Sequence, residues 1–77
     1  MLTTVDLELD LSGLTCPLPL LKTKQSLNGM AQGQVVKVTA TDPGSERDFR
    51  VFTEQSGNCL LDFEKEDGNF VYWIRKG

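Results

Sequence analysis

In residues 5–11, VDLELDL, every second residue is aliphatic and every residue between is acidic. Side chains on an extended chain alternate between two faces, so Val5, Leu7, Leu9 and Leu11 line one side while Asp6, Glu8 and Asp10 line the other. Such a segment is a strand with one face buried and one face wet. A sheet covered on both sides reads as continuous apolar runs instead. This single stretch therefore points to a two-layer arrangement, with whatever helices the chain contains packed on one face of its sheet.

The remaining segments fit that frame. SGLT turns the chain, and a helix is expected from about Pro17 to Asn28, burying Leu20, Thr23, Leu27 and Met30 at amphipathic spacing. Leu21 and the stem of Lys24 flank this stripe, and Lys22 and Lys24 make the outer side locally basic. Gly29 and Gly33 end the segment. QVVKVTAT reads as a second strand with Val36, Val38 and Ala40 inward. In TDPGSERDFRVFTEQSG, Asp42 is expected to cap a second helix, Pro43 to occupy its first position and Gly57 to stop it. Phe49 and Phe52 should anchor this helix in the core.

CLLDFEKE and NFVYWIR flank Asp67-Gly68, a strong hairpin signal between two alternating runs. Cys59, Leu61 and Phe63 are expected inward on the first arm, and Phe70, Tyr72 and Ile74 on the second. The order is βαβαββ: an α/β (α+β) two-layer sandwich, with a four-stranded mixed sheet and two helices on one face. Right-handed crossover makes the first two strands parallel, and the hairpin adds antiparallel pairing. Residues 1–77 are expected to form one domain.

Composition narrows function. The chain is 39 % hydrophobic and 25 % charged, too apolar for a disordered segment. Its net charge of -3 argues against sequence-independent nucleic-acid binding, which needs a basic face. No apolar run is long enough to span a bilayer, and MLTTVDLELD lacks the basic and apolar segments of a secretory leader. The expected compartment is the cytoplasm. There, the two cysteines, Cys16 and Cys59, are expected to be free thiols. With no histidine in the chain, His-assisted nucleophilic catalysis and most zinc sites fall away. No metal and no cofactor are expected.

Within GLTCPLPLLK, Cys16 stands immediately before Pro17, and Pro19 follows two residues later. A residue before proline is pushed away from helical geometry, as a helix cap requires, and Pro17 suits the first helical position. Free amides of that first turn, those of Leu18 and Leu20 among them, and the positive end of the helix dipole would then favour a thiolate. Cysteines so placed have pKa values lowered from about 8.5 to roughly 3.5–7.5. Asp10 is the nearest acidic residue along the chain, and Gly13 leaves the sulfur approachable. The expectation is an uncovered, readily ionised nucleophile. The bland alternative is a small buried cysteine beside two helix-starting prolines.

LDLSGLTCPLPLLKTKQSL, TDPGSERDF and EDGNFVYWIRK together resemble the TusA/SirA-like sulfur-carrier family, from Leu9 to Lys76. The resemblance implies that Cys16 accepts sulfane sulfur as a persulfide, with Pro17 and Pro19 as the motif prolines. It also matches Asp42, Pro43, Arg47 and Asp48 to the family's second-helix pattern. It implies a cysteine desulfurase or a rhodanese-type sulfurtransferase as donor and a persulfide-accepting protein downstream, in tRNA thiolation, sulfur oxidation or a related thio-cofactor route.

Lys22, Lys24 and Arg47 are the candidates for contacting those partners. Arg47 is equally compatible with a helix-surface ion pair. Trp73, with Val35 and Val71, is expected on the uncovered sheet face, where an apolar docking patch competes with the ordinary presence of single exposed apolar residues. Cys59 reads as a core-facing strand residue. The polar outer sheet face favours a monomer. A rival reading is a regulatory or protein-interaction module whose thiol senses oxidation or is silent.

Overall fold

A computed structural model describes residues 4–77. Residues 1–3, on which part of the no-leader expectation rests, lie outside the described residues. Six elements follow in the expected order: β1 (Leu7–Leu11), α1 (Leu18–Asn28), β2 (Val35–Ala40), α2 (Ser45–Ser56), β3 (Cys59–Glu66) and β4 (Asn69–Arg75). The strands form one sheet in the order β1-β2-β4-β3. β1 runs parallel to β2, with Leu9 opposite Val38, and β4 is antiparallel to both β2 and β3.

Alternation explains the core. Val36, Val38 and Ala40 on β2 and Phe70, Tyr72 and Ile74 on β4 share one buried face, as expected. Leu27 from α1 and Phe49 from α2 pack on that same face, so both helices lie on one side. On α1 the fully buried residues are Pro19, Thr23 and Leu27, one turn apart, and the Thr23 hydroxyl donates to the Pro19 carbonyl at 2.8 Å. Leu20 and Met30 of the expected stripe are only half-buried at its edge. The hairpin turn has Asp67 at φ 50° and Gly68 at φ 79°, the left-handed pair that an Asp-Gly turn supplies.

Three expectations are corrected. The first concerns β3. A bulge between Leu60 and Asp62 gives that arm one residue more than its partner, so the alternation changes phase. Leu60 and Phe63 therefore pack on the core, while Cys59, expected inward, is exposed.

The second concerns Asp42. Pro43 and Gly44 form a turn before α2, whose N-cap is Gly44. The Asp42 main-chain carbonyl, rather than its carboxylate, accepts the Ser45 amide at 3.0 Å. One carboxylate oxygen of Asp42 is left buried without a hydrogen-bond partner among the described residues. Gly57 does stop the helix as expected, at φ 79°.

The third concerns Trp73. It does lie on the outer face, but it is only 9 % exposed, and Val35 beside it is buried. Lys37, opposite Trp73 across the β2–β4 pair, places its ammonium 5.7 Å from the ring centroid and also pairs with Glu8 at 3.9 Å. The docking patch weighed for this face is not found among the described residues.

Candidate functional site

The site forms where the start of α1 meets the side of α2. Gly13, at φ 84°, turns the chain out of β1, and its amide donates to the Thr41 hydroxyl at 2.8 Å. That bond ties the segment leading to Cys16 to the end of β2. The Cys16–Pro17 peptide bond is cis. Pro17 is the N-cap of α1, and Pro19 falls in its first turn with its ring packed away from solvent. Cys16 is thus one residue ahead of the cap rather than being the cap.

Cys16 is exposed, as expected. It opens into a cleft of about 690 Å³ between the two helices. Leu20 and Lys24 line it from α1, and Arg47, Asp48, Val51 and Phe52 from α2. The Lys24 ammonium lies 5.4 Å from the centroid of the Phe52 ring, so the cation rests on the apolar floor.

Of the three basic candidates, Lys24 and Arg47 share the cleft with Cys16. Lys22 does not line it. Residues two apart on a helix point in widely different directions, so closeness in sequence placed Lys22 near the thiol only along the chain. The ion pair considered for Arg47 is not found among the described residues. Arg50, one turn from Glu46, makes that kind of contact instead, at 3.4 Å.

The expected activation of the thiol is not what the geometry provides. The Leu18 amide, expected to face the sulfur, donates to the Thr15 carbonyl at 2.8 Å. Cys16 Sγ itself donates to a carboxylate oxygen of Asp48 at 3.0 Å. That hydrogen bond is the main reason the thiol is held above its ordinary value. Partial desolvation and the negative charges of Asp48 and Asp42 act in the same direction. The expectation of a readily ionised Cys16 is therefore corrected: the sulfur is accessible, and its neighbours disfavour rather than favour the thiolate. Asp48 and the apolar lining of Val51 and Phe52 went unrecognised as neighbours of Cys16, because nothing along the chain places them there.

Among the described residues, no group of three or more Cys, Asp or Glu is arranged to hold a metal ion. No described helix is long and apolar enough to cross a membrane.

A family model described as Sulfurtransferase TusA matches residues 7–76. The chain belongs to the TusA family. It is 54 % identical over 71 residues to the sulfur carrier protein TusA of Allochromatium vinosum, a match covering 92 % of this chain and 93 % of that one. Over 73 residues it is 44 % identical to the sulfur carrier protein TusA of Pseudomonas syringae, covering 95 % and 87 % of the two chains. A crystal structure of a SirA-like protein from Desulfitobacterium hafniense superposes with a TM-score of 0.80 at 26 % identity, covering 92 % of this chain and 97 % of that one. The mixed four-stranded sheet with two helices described above is thus the fold shared with this SirA-like structure.

Proposed function

We propose that this TusA-family chain is a sulfur carrier and that Cys16 bears the sulfur as a persulfide. In loading, the Cys16 thiolate attacks the outer, sulfane sulfur of a persulfide on a donor protein. A bond forms between Cys16 Sγ and that sulfur, and the donor's own sulfur–sulfur bond breaks. The donor cysteine leaves with the electron pair and takes up the proton that Cys16 released, so no external oxidant or reductant is consumed. Delivery repeats the exchange with an acceptor thiolate attacking and Cys16 as the leaving group.

The observation that carries this reading is the exposed Cys16 sulfur in a cleft lined by the apolar Leu20, Val51 and Phe52 and by the cations of Lys24 and Arg47, with Asp48 beside the sulfur. Val51 is 43 % exposed in that cleft, and Leu18 and Leu21 on the first turns of α1 are 42 % and 47 % exposed. Large apolar side chains left in water on the two helices that form the cleft suit a protein partner better than a small solute. A cysteine desulfurase or a rhodanese-type sulfurtransferase fits as donor, and a persulfide-accepting protein fits as recipient. The acceptor that docks would decide whether the sulfur goes to tRNA thiolation, sulfur oxidation or another thio-cofactor route. Free thiols at Cys16 and Cys59 are compatible with the cytoplasm.

The test is direct. After incubation with a cysteine desulfurase and cysteine, the peptide containing Cys16 should gain about 32 Da, the mass of one sulfur atom, in a form removed by a reducing thiol. No gain on that peptide would overturn the reading. The hydrogen bond from Cys16 to Asp48 favours a second reading, an interaction module whose thiol is silent. Cys16→Ala separates the two, because a scaffold keeps its function in the folded variant and a carrier loses it.

A further inference from the structure

Only one charged side chain among the described residues is within hydrogen-bond distance of the carrier atom, and it has the sign least suited to a nucleophilic sulfur. Asp48 sits in the first turn of α2, its amide bonded to the Gly44 carbonyl at 3.2 Å, where the helix dipole stabilises a negative carboxylate. It is half-buried and has no ion-pair partner among the described residues. Its one side-chain partner found there is the Cys16 thiol, 32 positions away in sequence.

We propose that Asp48 is a restraining residue: by accepting the hydrogen bond of the Cys16 thiol, it keeps the sulfur of the free protein unreactive until a docked partner takes over that carboxylate. A thiolate 3.0 Å from the Asp48 carboxylate would face a like charge, so this neighbour disfavours ionisation of Cys16. The other charged groups facing the sulfur do not remove this conflict. Lys24 from α1 and Arg47 from α2 line the cleft, whereas Asp42, from the segment before α2, adds a further negative charge. A partner that brings an N–H or cationic donor to Asp48 would free the thiol at the moment of docking. An exposed sulfur otherwise open to any oxidant or electrophile would stay protected in between. The sulfur-relay reading supplies the purpose of this restraint, while the restraint itself is measured separately.

The experiment follows alkylation by iodoacetamide across the neutral to alkaline range, with Cys16 and Cys59 read from their own peptides. In the unaltered protein the inflection for Cys16 should lie above the ordinary cysteine value of about 8.5. Asp48→Asn should move it down and raise the rate at neutral pH. Each unit of that shift yields about tenfold more thiolate, and the accompanying fall in nucleophilicity leaves a net gain of roughly threefold. Asp48→Glu, which keeps the charge, should retain the high inflection, and Asp42→Asn should move it less than Asp48→Asn. The Cys59 rate should not change, and far-ultraviolet circular dichroism reports that each variant remains folded. A Cys16 inflection at or below the ordinary value in the unaltered protein would overturn the proposal whether or not any variant folds. So would coincident Cys16 profiles for the unaltered protein and Asp48→Asn. If a desulfurase failed to load Cys16, the relay would fall and these profiles would stand.

Discussion

The hydroxyls of Ser45 and Tyr72 meet at 2.7 Å beneath the first turn of α2, both fully withdrawn from solvent. This contact joins the helix that supplies Asp48 to the central strand β4. It also satisfies two buried polar atoms that would otherwise each carry a desolvation cost. Burial pushes the Tyr72 phenol up to about 12, and the Ser45 bond offsets only part of that rise. Tyr72 is the sole tyrosine, so an ultraviolet titration reports this group alone. The midpoint of tyrosinate formation should lie near about 12. The folded value lies above the ordinary 10.0, so the fold favours the neutral phenol. Its contribution to stability is intact below that ordinary value and is lost as pH rises through the folded one. A tyrosinate signal already half-complete near 10 would show the ring to be solvated.

Tyr72→Phe tests the same contact from the other side. The ring can keep its stack on Phe49, at 4.3 Å between centroids, while the Ser45 hydroxyl loses its partner in a dry site. The expected loss is about 1–3 kcal/mol in denaturant unfolding, the cost of an unsatisfied buried donor or acceptor. Phe49→Ala should do more. It removes a fully buried ring from the centre of the helix–sheet layer, at a typical cost of about 3–5 kcal/mol. For a chain this short that is a large share of the whole, so the unfolding midpoint should fall steeply. If both variants lost the same small amount, Phe49 would not be the anchor of α2.

β3 supplies a prediction on which the simple alternation reading and the structure disagree. Strict alternation from Cys59 sends Leu61 inward, whereas the bulge sends Leu60 inward, opposite Ile74. Leu60→Ala should therefore destabilise the protein by about 2 kcal/mol, and Leu61→Ala by less than about 1 kcal/mol. The comparison is best made by urea denaturation at matched conditions. The reverse order would mean that the arm pairs without the bulge.

The pattern of successes and misses has a physical basis. Alternation in VDLELDL and NFVYWIR, Asp67-Gly68 at the hairpin and Gly57 after α2 are local signals, and each element they imply is present. The bulge at Leu61 has no mark of its own: neither glycine nor proline stands there, and both adjacent leucines are equally apolar. The state of Cys16 was misread for a different reason. Its proline-rich surroundings suggested an amide-lined helix cap, but the Thr15 carbonyl takes the Leu18 amide and the decisive charge comes from Asp48 on the other helix. Proximity created by packing two helices side by side is not written in the spacing of either one. The same blindness grouped Lys22 with Lys24.

Those two lysines give the last prediction, which rests on the carrier reading. Lys24 and Arg47 share the cleft with Cys16, and Lys22 does not line it. A positive wall beside the reacting atom raises the encounter rate with a donor whose anionic persulfide must approach it, and salt weakens that steering. Lys24→Glu and Arg47→Glu should each slow loading by a cysteine desulfurase by about three- to tenfold at low ionic strength, and by less as salt is added. Lys22→Glu should slow it much less, although it alters the net charge by the same amount. The readout is the initial rate of persulfide formation on the Cys16 peptide, with far-ultraviolet circular dichroism showing each variant folded. Equal slowing by all three would mean that only the overall charge matters and that the cleft does not receive the donor. Slowing confined to Lys24→Glu and Arg47→Glu would locate the approach of the sulfur between the two helices.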